Sequence, residues 1–190
     1  MILASQSPRR RELLGLITED FEIIPAQGEE ILPEGISPRE AVILLSQQKA
    51  AEVRQRKFPG MEEIPDTIIA ADTVVDVDGE ILGKPRSREN AEEMLHKLSG
   101  RKHSVFTGVT IISGSRTSSF AEETSVEFYP LTDEEITSYV DSGDPMDKAG
   151  AYGIQGRGAL LVKRIEGDYY NVMGLPAGRL YRELKLIQKT

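Results

Sequence analysis

The stretch Thr67-Ile68-Ile69-Ala70-Ala71-Asp72 decides how this chain folds. It is a nearly continuous apolar run closed by an acid. A strand with one wet face alternates apolar and polar residues, whereas a run without alternation marks a strand buried on both faces. The reading therefore places a central strand here and ends it at Asp72. Downstream, Val74 to Leu82 alternates around Asp78-Gly79, a hairpin-turn pair. His103 to Ile112 and Thr117 to Phe128 read as a long antiparallel pair across Ser113-Gly114-Ser115. Leu160 to Ile165 is a further strand, followed by a Gly167-Asp168 turn. Upstream, Met1 to Ala4 and Phe21 to Pro25 are short strands.

Helices fill the intervals. Ser7 reads as an N-cap with Pro8 at the first helical position, opening a helix through Leu13-Leu14. Ser37-Pro38-Arg39-Glu40 has capping-box spacing and starts a helix that runs to about Lys57, with Ala41, Leu44, Leu45 and Val53 on its apolar side. Ala91, Met94, Leu95 and Leu98 repeat at helical spacing and stop at Gly100. Thr132-Asp133-Glu134-Glu135 is another capping box, for a helix ending near Gly143. Ala177, Leu180, Tyr181 and Leu184 mark a last helix. Phe58 to Asp66 reads as a connection, Ala26 to Gly35 as a polar loop carrying Glu29 and Glu30, and Gly143 to Gly158 as glycine-rich. With no repeat and no long linker, the expectation is a single domain over residues 1–190. Its class is α/β: a mixed twisted sheet with flanking helices, in two lobes around a cleft.

Composition narrows the function. Hydrophobic residues make up 39% and charged residues 28%, as in soluble globular proteins. No apolar run approaches the ~18 residues of a membrane span. The apolar N-terminus is too short for a signal peptide, so a strand of the mature fold is expected there. There is no cysteine, which excludes disulfides and thiolate metal sites and fits a cytoplasmic location. With only His96 and His103, a zinc site is not expected. Any catalytic metal should be a hard cation held by carboxylates, Mg²⁺ or Mn²⁺. The net charge of −8 argues against a nucleic-acid partner. Basic residues nevertheless cluster at Arg9-Arg10-Arg11 and Arg101-Lys102, which suits a small anion.

Several segments carry chemistry, each with a plainer explanation beside it. At Ser5-Gln6-Ser7-Pro8-Arg9-Arg10 a strand enters a helix N-terminus. Free N–H groups there favour an anion, and arginine adds charge-assisted hydrogen bonds to phosphate. A capped helix with solvated arginines explains the stretch equally well. Asp72 could hold a metal or take a proton from water. In isolation, a turn-capping Asp is the better reading. Gly83-Lys84-Pro85 is not a Walker motif, because the glycine spacing is one residue short and Pro85 replaces the Ser or Thr. Lys84 could still meet phosphate as a point charge, though a surface lysine in a turn is commoner. Ser99-Gly100-Arg101-Lys102-His103 ends a helix, where cations have a structural reason. Asp147 through Gly156 sets three glycines around Tyr152 and Gln155, which suggests close backbone approach to a ligand. A long hairpin loop explains those glycines but gives Asp147, Lys148 and Gln155 no role.

Taken together the motifs resemble the Maf family of nucleotide pyrophosphatases. The matching residues are Leu3-Ala4-Ser5-Gln6-Ser7-Pro8-Arg9-Arg10, Ala71-Asp72-Thr73, Gly83-Lys84-Pro85, Leu98-Ser99-Gly100, Asp147 through Gly156, and Gly174-Leu175-Pro176. The resemblance implies a fold like that of inosine triphosphate pyrophosphatases, and cleavage between the α and β phosphates with help from a divalent cation. It implies that Asp72 and Lys84 are catalytic, Asp72 as proton acceptor. It places Ser7, Arg9, Arg10, Lys49 and Lys84 along the phosphate path, and Glu30 beside Asp72 as a metal ligand. It ties specificity to Arg10, Thr73 and Gln155, in the pattern of the branch acting on dTTP and UTP. An amide such as Gln155 offers one donor and one acceptor, which match the carbonyl and adjacent N–H of thymine or uracil. Guanine shows two adjacent donors, and each polar group left unpaired costs about 1–3 kcal/mol. The expected partner is a nucleoside triphosphate, with a homodimer left open. The alternative function is a nucleotide-binding regulator of septum formation, for which turnover is not essential.

Overall fold

In the computed structural model of the chain, which describes residues 1–28 and 30–189 and side chains to residue 187, the central strand does not stop at Asp72. In chain order the elements are β1 (Ile2–Leu3), α1 (Pro8–Gly15), β2 (Glu22–Ile23), α2 (Pro38–Lys57), β3 (Ile64–Val77), β4 (Glu80–Leu82), α3 (Arg88–Leu98), β5 (Lys102–Gly114), β6 (Arg116–Phe128) and α4 (Asp133–Asp141). Three short 3-10 turns follow, at Asp144–Asp147, Ala149–Ala151 and Gly156–Leu160, then β7 (Val162–Glu166), α5 (Tyr169–Met173) and α6 (Ala177–Lys189). The expected strand end at Asp72, and its reading as a turn cap, are both corrected. Asp72 and Thr73 stay in antiparallel register with Gly108 and Thr107 of β5, so the ladder runs through them.

The sheet order is β2-β1-β3-β5-β6-β7, with β4 also on β3. The pairs β2–β1 and β1–β3 are parallel and the others antiparallel, so the sheet is mixed. β5 covers one edge of β3 from Ile64 to Asp76. The other edge is shared: β1 takes Ile68 and Ile69, and β4 takes Val75 to Val77. Between them, residues 70 to 74 of β3 have no strand partner on that edge among the described residues. That gap opens the cleft, and it explains how a residue in the middle of a strand can face a ligand.

The core divides on either side of the gap. On one side, α2 packs Ala50 and Val53 on Ile2, Ile68 and Ala70, while α1 and α6 bring Leu13, Leu14 and Leu180 to Leu3, Ile69 and Ala71 on the opposite face. On the other side, Val75, Val77 and Leu82 meet Leu95 and Leu98 of α3 and Ile136 and Val140 of α4. The two expected lobes are these two groups. The capping boxes at Ser37–Glu40 and Thr132–Glu135 form as read, and Ser7 accepts from the Arg10 N–H as an N-cap. Among the described residues no helix is long and apolar enough to cross a membrane. Glu29 of the polar loop lies outside the described residues.

Candidate active site

A cleft of about 570 Å³ lies against the gap in β3, within the size range of small-ligand sites. Ser7, Arg9, Arg10, Glu30, Lys49, Asp72, Thr73, Lys84 and Gln155 all line it. Thus residues scattered from the first helix to the glycine-rich stretch come together in one place.

Asp72 and Thr73 point to opposite faces of β3, because side chains alternate along a strand. Asp72 faces α2. It is 8% exposed, and Lys49 of α2 donates to its Oδ1. The same ammonium lies 2.8 Å from Glu30 Oε1, so one cation bridges both carboxylates. This contact depends on Gly108, which pairs with Asp72 across the sheet. A Cβ at Gly108 would lie 2.2 Å from the Val42 carbonyl oxygen, so only glycine lets α2 come down this close. Burial would raise the Glu30 carboxyl, but the Lys49 hydrogen bond and charge, with Lys84 and Arg10 beyond, hold it below its ordinary range.

Thr73 faces the other way, into a chain of hydrogen bonds. Arg10 Nη2 donates to Thr73 Oγ1 at 3.0 Å. Thr107 donates to the Asn171 carbonyl at 2.9 Å, which leaves Thr73 to donate to Thr107 at 2.9 Å. Arg10 also gives Nε to the Gly174 carbonyl at 2.8 Å and Nη1 to Ser5 Oγ at 3.4 Å. Burial lowers the Arg10 pKa and the charge of Asp72 opposes that. Arg10 is therefore chiefly a strut between α1, β3 and the turn after α5, with its hydrogen bonds directed inward. Asn171 is fully buried and ties this turn to the sheet through Val105 O and Thr124 Oγ1.

Arg9 reaches across the cleft to Asp147 at 3.3 Å, and Lys148 pairs with the same carboxylate at 2.7 Å. Lys84 is exposed and forms no ion pair among the described residues. Gln155 is half-buried, and its side chain makes no hydrogen bond among them. Lys49, Lys84 and Arg9 bring positive charge to the cleft, which Thr73 and Gln155 also line, and Asp144 and Lys148 lie against the glycines on either side of Gln155.

Asp72 and Glu30 are hard oxygen donors that converge on the Lys49 ammonium, and donors of this chemistry suit Mg²⁺ or Mn²⁺. Such ions commonly take one or two carboxylates and complete their shell with phosphate oxygens and water. Among the described residues no group of three or more His, Cys, Asp or Glu side chains is placed to hold a metal, so a cation here would need the substrate's oxygens as well.

Sequence reasoning missed Thr107, Tyr139 and Asn171, and quoted Ser5 and Gly174 within motifs without giving either a role. Thr107 had a faint signal, a polar residue at a core-facing position beside Val109 and Ile111. Asn171 had none, since α5 is too short to show a period.

A family model described as Maf-like protein matches residues 1–187. The chain is 56% identical over 185 residues to the dTTP/UTP pyrophosphatase of Carboxydothermus hydrogenoformans, covering 96% of both chains. It is 50% identical over 186 residues to the dTTP/UTP pyrophosphatase of Bacillus velezensis, covering 97% of this chain and 95% of that one. Among solved structures, a HAM1 protein from Coxiella burnetii matches at TM-score 0.49 and 16% identity over 97% of each chain. The Staphylococcus aureus Ham1 protein matches at TM-score 0.44 and 22% identity, over 67% of this chain and 70% of that one.

Proposed function

The chain belongs to the Maf family, and from that premise we propose that it hydrolyses dTTP and UTP to the nucleoside monophosphate and pyrophosphate. One observation carries the reading most: a Lys49-bridged pair of carboxylates, Asp72 and Glu30, opens on the same cleft as Thr73 and Gln155. A triphosphate can lie with its phosphates toward Lys49, Lys84 and Arg9 and its base toward Gln155. The names of the relatives supply the substrate class.

In this reading Lys84, Arg9 and the N-terminal turn of α1 hold the phosphate oxygens, and Lys84 forms no ion pair among the described residues that would compete. Asp72 accepts a proton from a water aimed at the α-phosphorus. The new bond is oxygen to α-phosphorus, the bond to the α–β bridging oxygen breaks, and pyrophosphate leaves with that oxygen. Lys49 holds Asp72 in place for the task. Asp72 and Glu30 would hold a divalent cation, which when bound would neutralise charge on the phosphates. Gln155 pairs with the carbonyl and N–H edge of the base.

The test is a panel of nucleoside triphosphates with Mg²⁺ or Mn²⁺, scoring pyrophosphate and phosphate separately. Pyrophosphate release fastest on dTTP and UTP is expected. Phosphate as the only inorganic product defeats the cleavage assignment, and equal rates on every base defeat that of Gln155. Asp72→Asn should lower kcat by at least about 100-fold while the fold persists. Full turnover in that variant would remove Asp72 from the chemistry.

A further inference from the structure

We propose that Tyr139 and His103 are positioning residues for base selection, anchoring the Gly153 backbone and the Tyr152 side chain so that Gln155 is presented to the base. The inference rests on the reading of Gln155 as the side chain that meets the base.

Two consecutive residues of the glycine-rich stretch are tied down by two different elements. Gly153 N–H donates to the Tyr139 hydroxyl of α4 at 3.1 Å. The Tyr152 hydroxyl lies 2.7 Å from His103 Nε2 of β5. Both anchors are buried, Tyr139 at 3% and His103 at 4% exposure. The rings of His103, Phe128 and Tyr152 meet edge to face with centroids 4.7 to 5.3 Å apart, which fixes Tyr152 sideways as well. The returning chain closes the clamp. A Cβ at Gly158 would lie 2.0 Å from the Gly153 carbonyl oxygen and 2.8 Å from the Tyr139 hydroxyl, so backbone packs on backbone there.

Gln155 sits between these fixed points with its side-chain amide unpaired among the described residues. A held backbone and a free reading group are what preorganised recognition requires, since a site about 1 Å too loose loses its discrimination. Burial supports the arrangement by keeping both partners neutral: it pulls the His103 imidazole down to about 4 and pushes the Tyr139 hydroxyl up to about 12. Neither anchor bonds to Asp72 or Lys84 directly, although the same stretch meets Gly83, beside Lys84, through the Gly150 N–H at 3.0 Å. The anchors should therefore govern which base is accepted more than how fast the phosphate bond breaks.

Tyr139→Phe removes one oxygen and keeps the ring. Rates on UTP and GTP are compared for this variant, for Gln155→Ala and for the double variant. In Tyr139→Phe the ratio of kcat/KM for UTP over GTP is expected to fall about tenfold, through KM more than kcat. The double variant is expected to fall no further than Gln155→Ala, because both changes act through one amide. Tyr152→Phe, which cuts the second anchor, should behave alike. A folded Tyr139→Phe with the unmodified ratio overturns the proposal, as does a loss that adds fully to that of Gln155→Ala. In the unmodified chain the Gly153 amide should exchange hydrogen slowly; rapid exchange overturns the anchor whatever the variants do. If the unmodified chain accepts UTP and GTP equally, or Gln155→Ala leaves their ratio untouched, it is the assignment of Gln155 that fails.

Discussion

His103 carries a consequence for stability at the scale of one residue. Its Nε2 is satisfied by Tyr152, but its Nδ1 is buried without a hydrogen-bond partner. A protonated imidazole would leave a charged N–H unpaired in an apolar cluster, and burial accordingly lowers its pKa from 6.5 to about 4. The unfolded imidazole takes up its proton near pH 6.5, whereas the folded one resists until near pH 4. The unfolded chain therefore binds more protons in that window, and stability falls as the pH drops through it. A lowered pKa of this size corresponds to about 3 kcal/mol by pH 4. Carboxylates held low, such as Glu30 and Asp147, add losses of the same sign as the pH falls further. Urea unfolding at pH 7 and pH 4.5 separates the contributions. His103→Gln should be less stable than the unmodified chain at pH 7 and should lose less on acidification. An equal loss in both proteins would remove His103 from the acid sensitivity.

Among the elements, the contact of α2 with β5 sets the site, and one glycine controls it. Val42 lies over Gly108, and Ser46 meets Thr110 at 2.8 Å one turn further on. From this position Lys49 reaches Asp72. Gly108→Ala must push α2 away from the sheet, at a cost of about 3 kcal/mol, or a Tm lowered by roughly 6–12 °C for a chain of this size. It should also lower kcat, because Lys49 leaves Asp72. Gly178→Ala is the control: that glycine is helical with nothing within 4 Å of a Cβ, so alanine should be neutral or mildly stabilising. Equal Tm values for the two variants would contradict the close approach. The legibility of the sequence follows the same physics. α2 is legible at both ends because its cap residues act locally. The extent of β3 is not, because Asp72 and Thr73 break the apolar run where the strand borders the cleft. α5 is five residues behind the cap Asp168, too few for a helical period to emerge. Within the site, residues with charge or in glycine-rich company stood out. Thr107, Tyr139 and Asn171 did not, since their hydroxyl, phenol and amide groups act through contacts that only the folded chain creates.

Across the whole molecule, the cleft separates two groups of packed elements, and Arg9–Asp147 joins them directly. Arg9 belongs to α1 on one side. Asp147 ends the turn after α4 on the other, and Lys148 beside it covers Gly153 with its aliphatic stem. Burial would raise the Asp147 carboxyl, yet the hydrogen bond to Lys148 and the charges of Arg9 and Lys148 hold it low, so it is ionised at neutral pH. A phosphate entering the cleft competes with that carboxylate for Arg9. On the proposed function, Asp147 would therefore oppose the tight retention of anions, including the departing pyrophosphate. The ion pair is largely exposed, so its loss should change stability by no more than about 1 kcal/mol. Its effect on anion affinity should be larger, because Asp147→Asn leaves Arg9 without its counter-charge and Lys148 with Asp144 alone. Pyrophosphate should inhibit Asp147→Asn at roughly three- to tenfold lower concentration than the unmodified chain, with the difference shrinking as salt rises. Product inhibition measured at two ionic strengths decides it. Unchanged inhibition would mean that Arg9 stays with its own side of the cleft and that phosphate takes its charge from Lys84 and Lys49 alone.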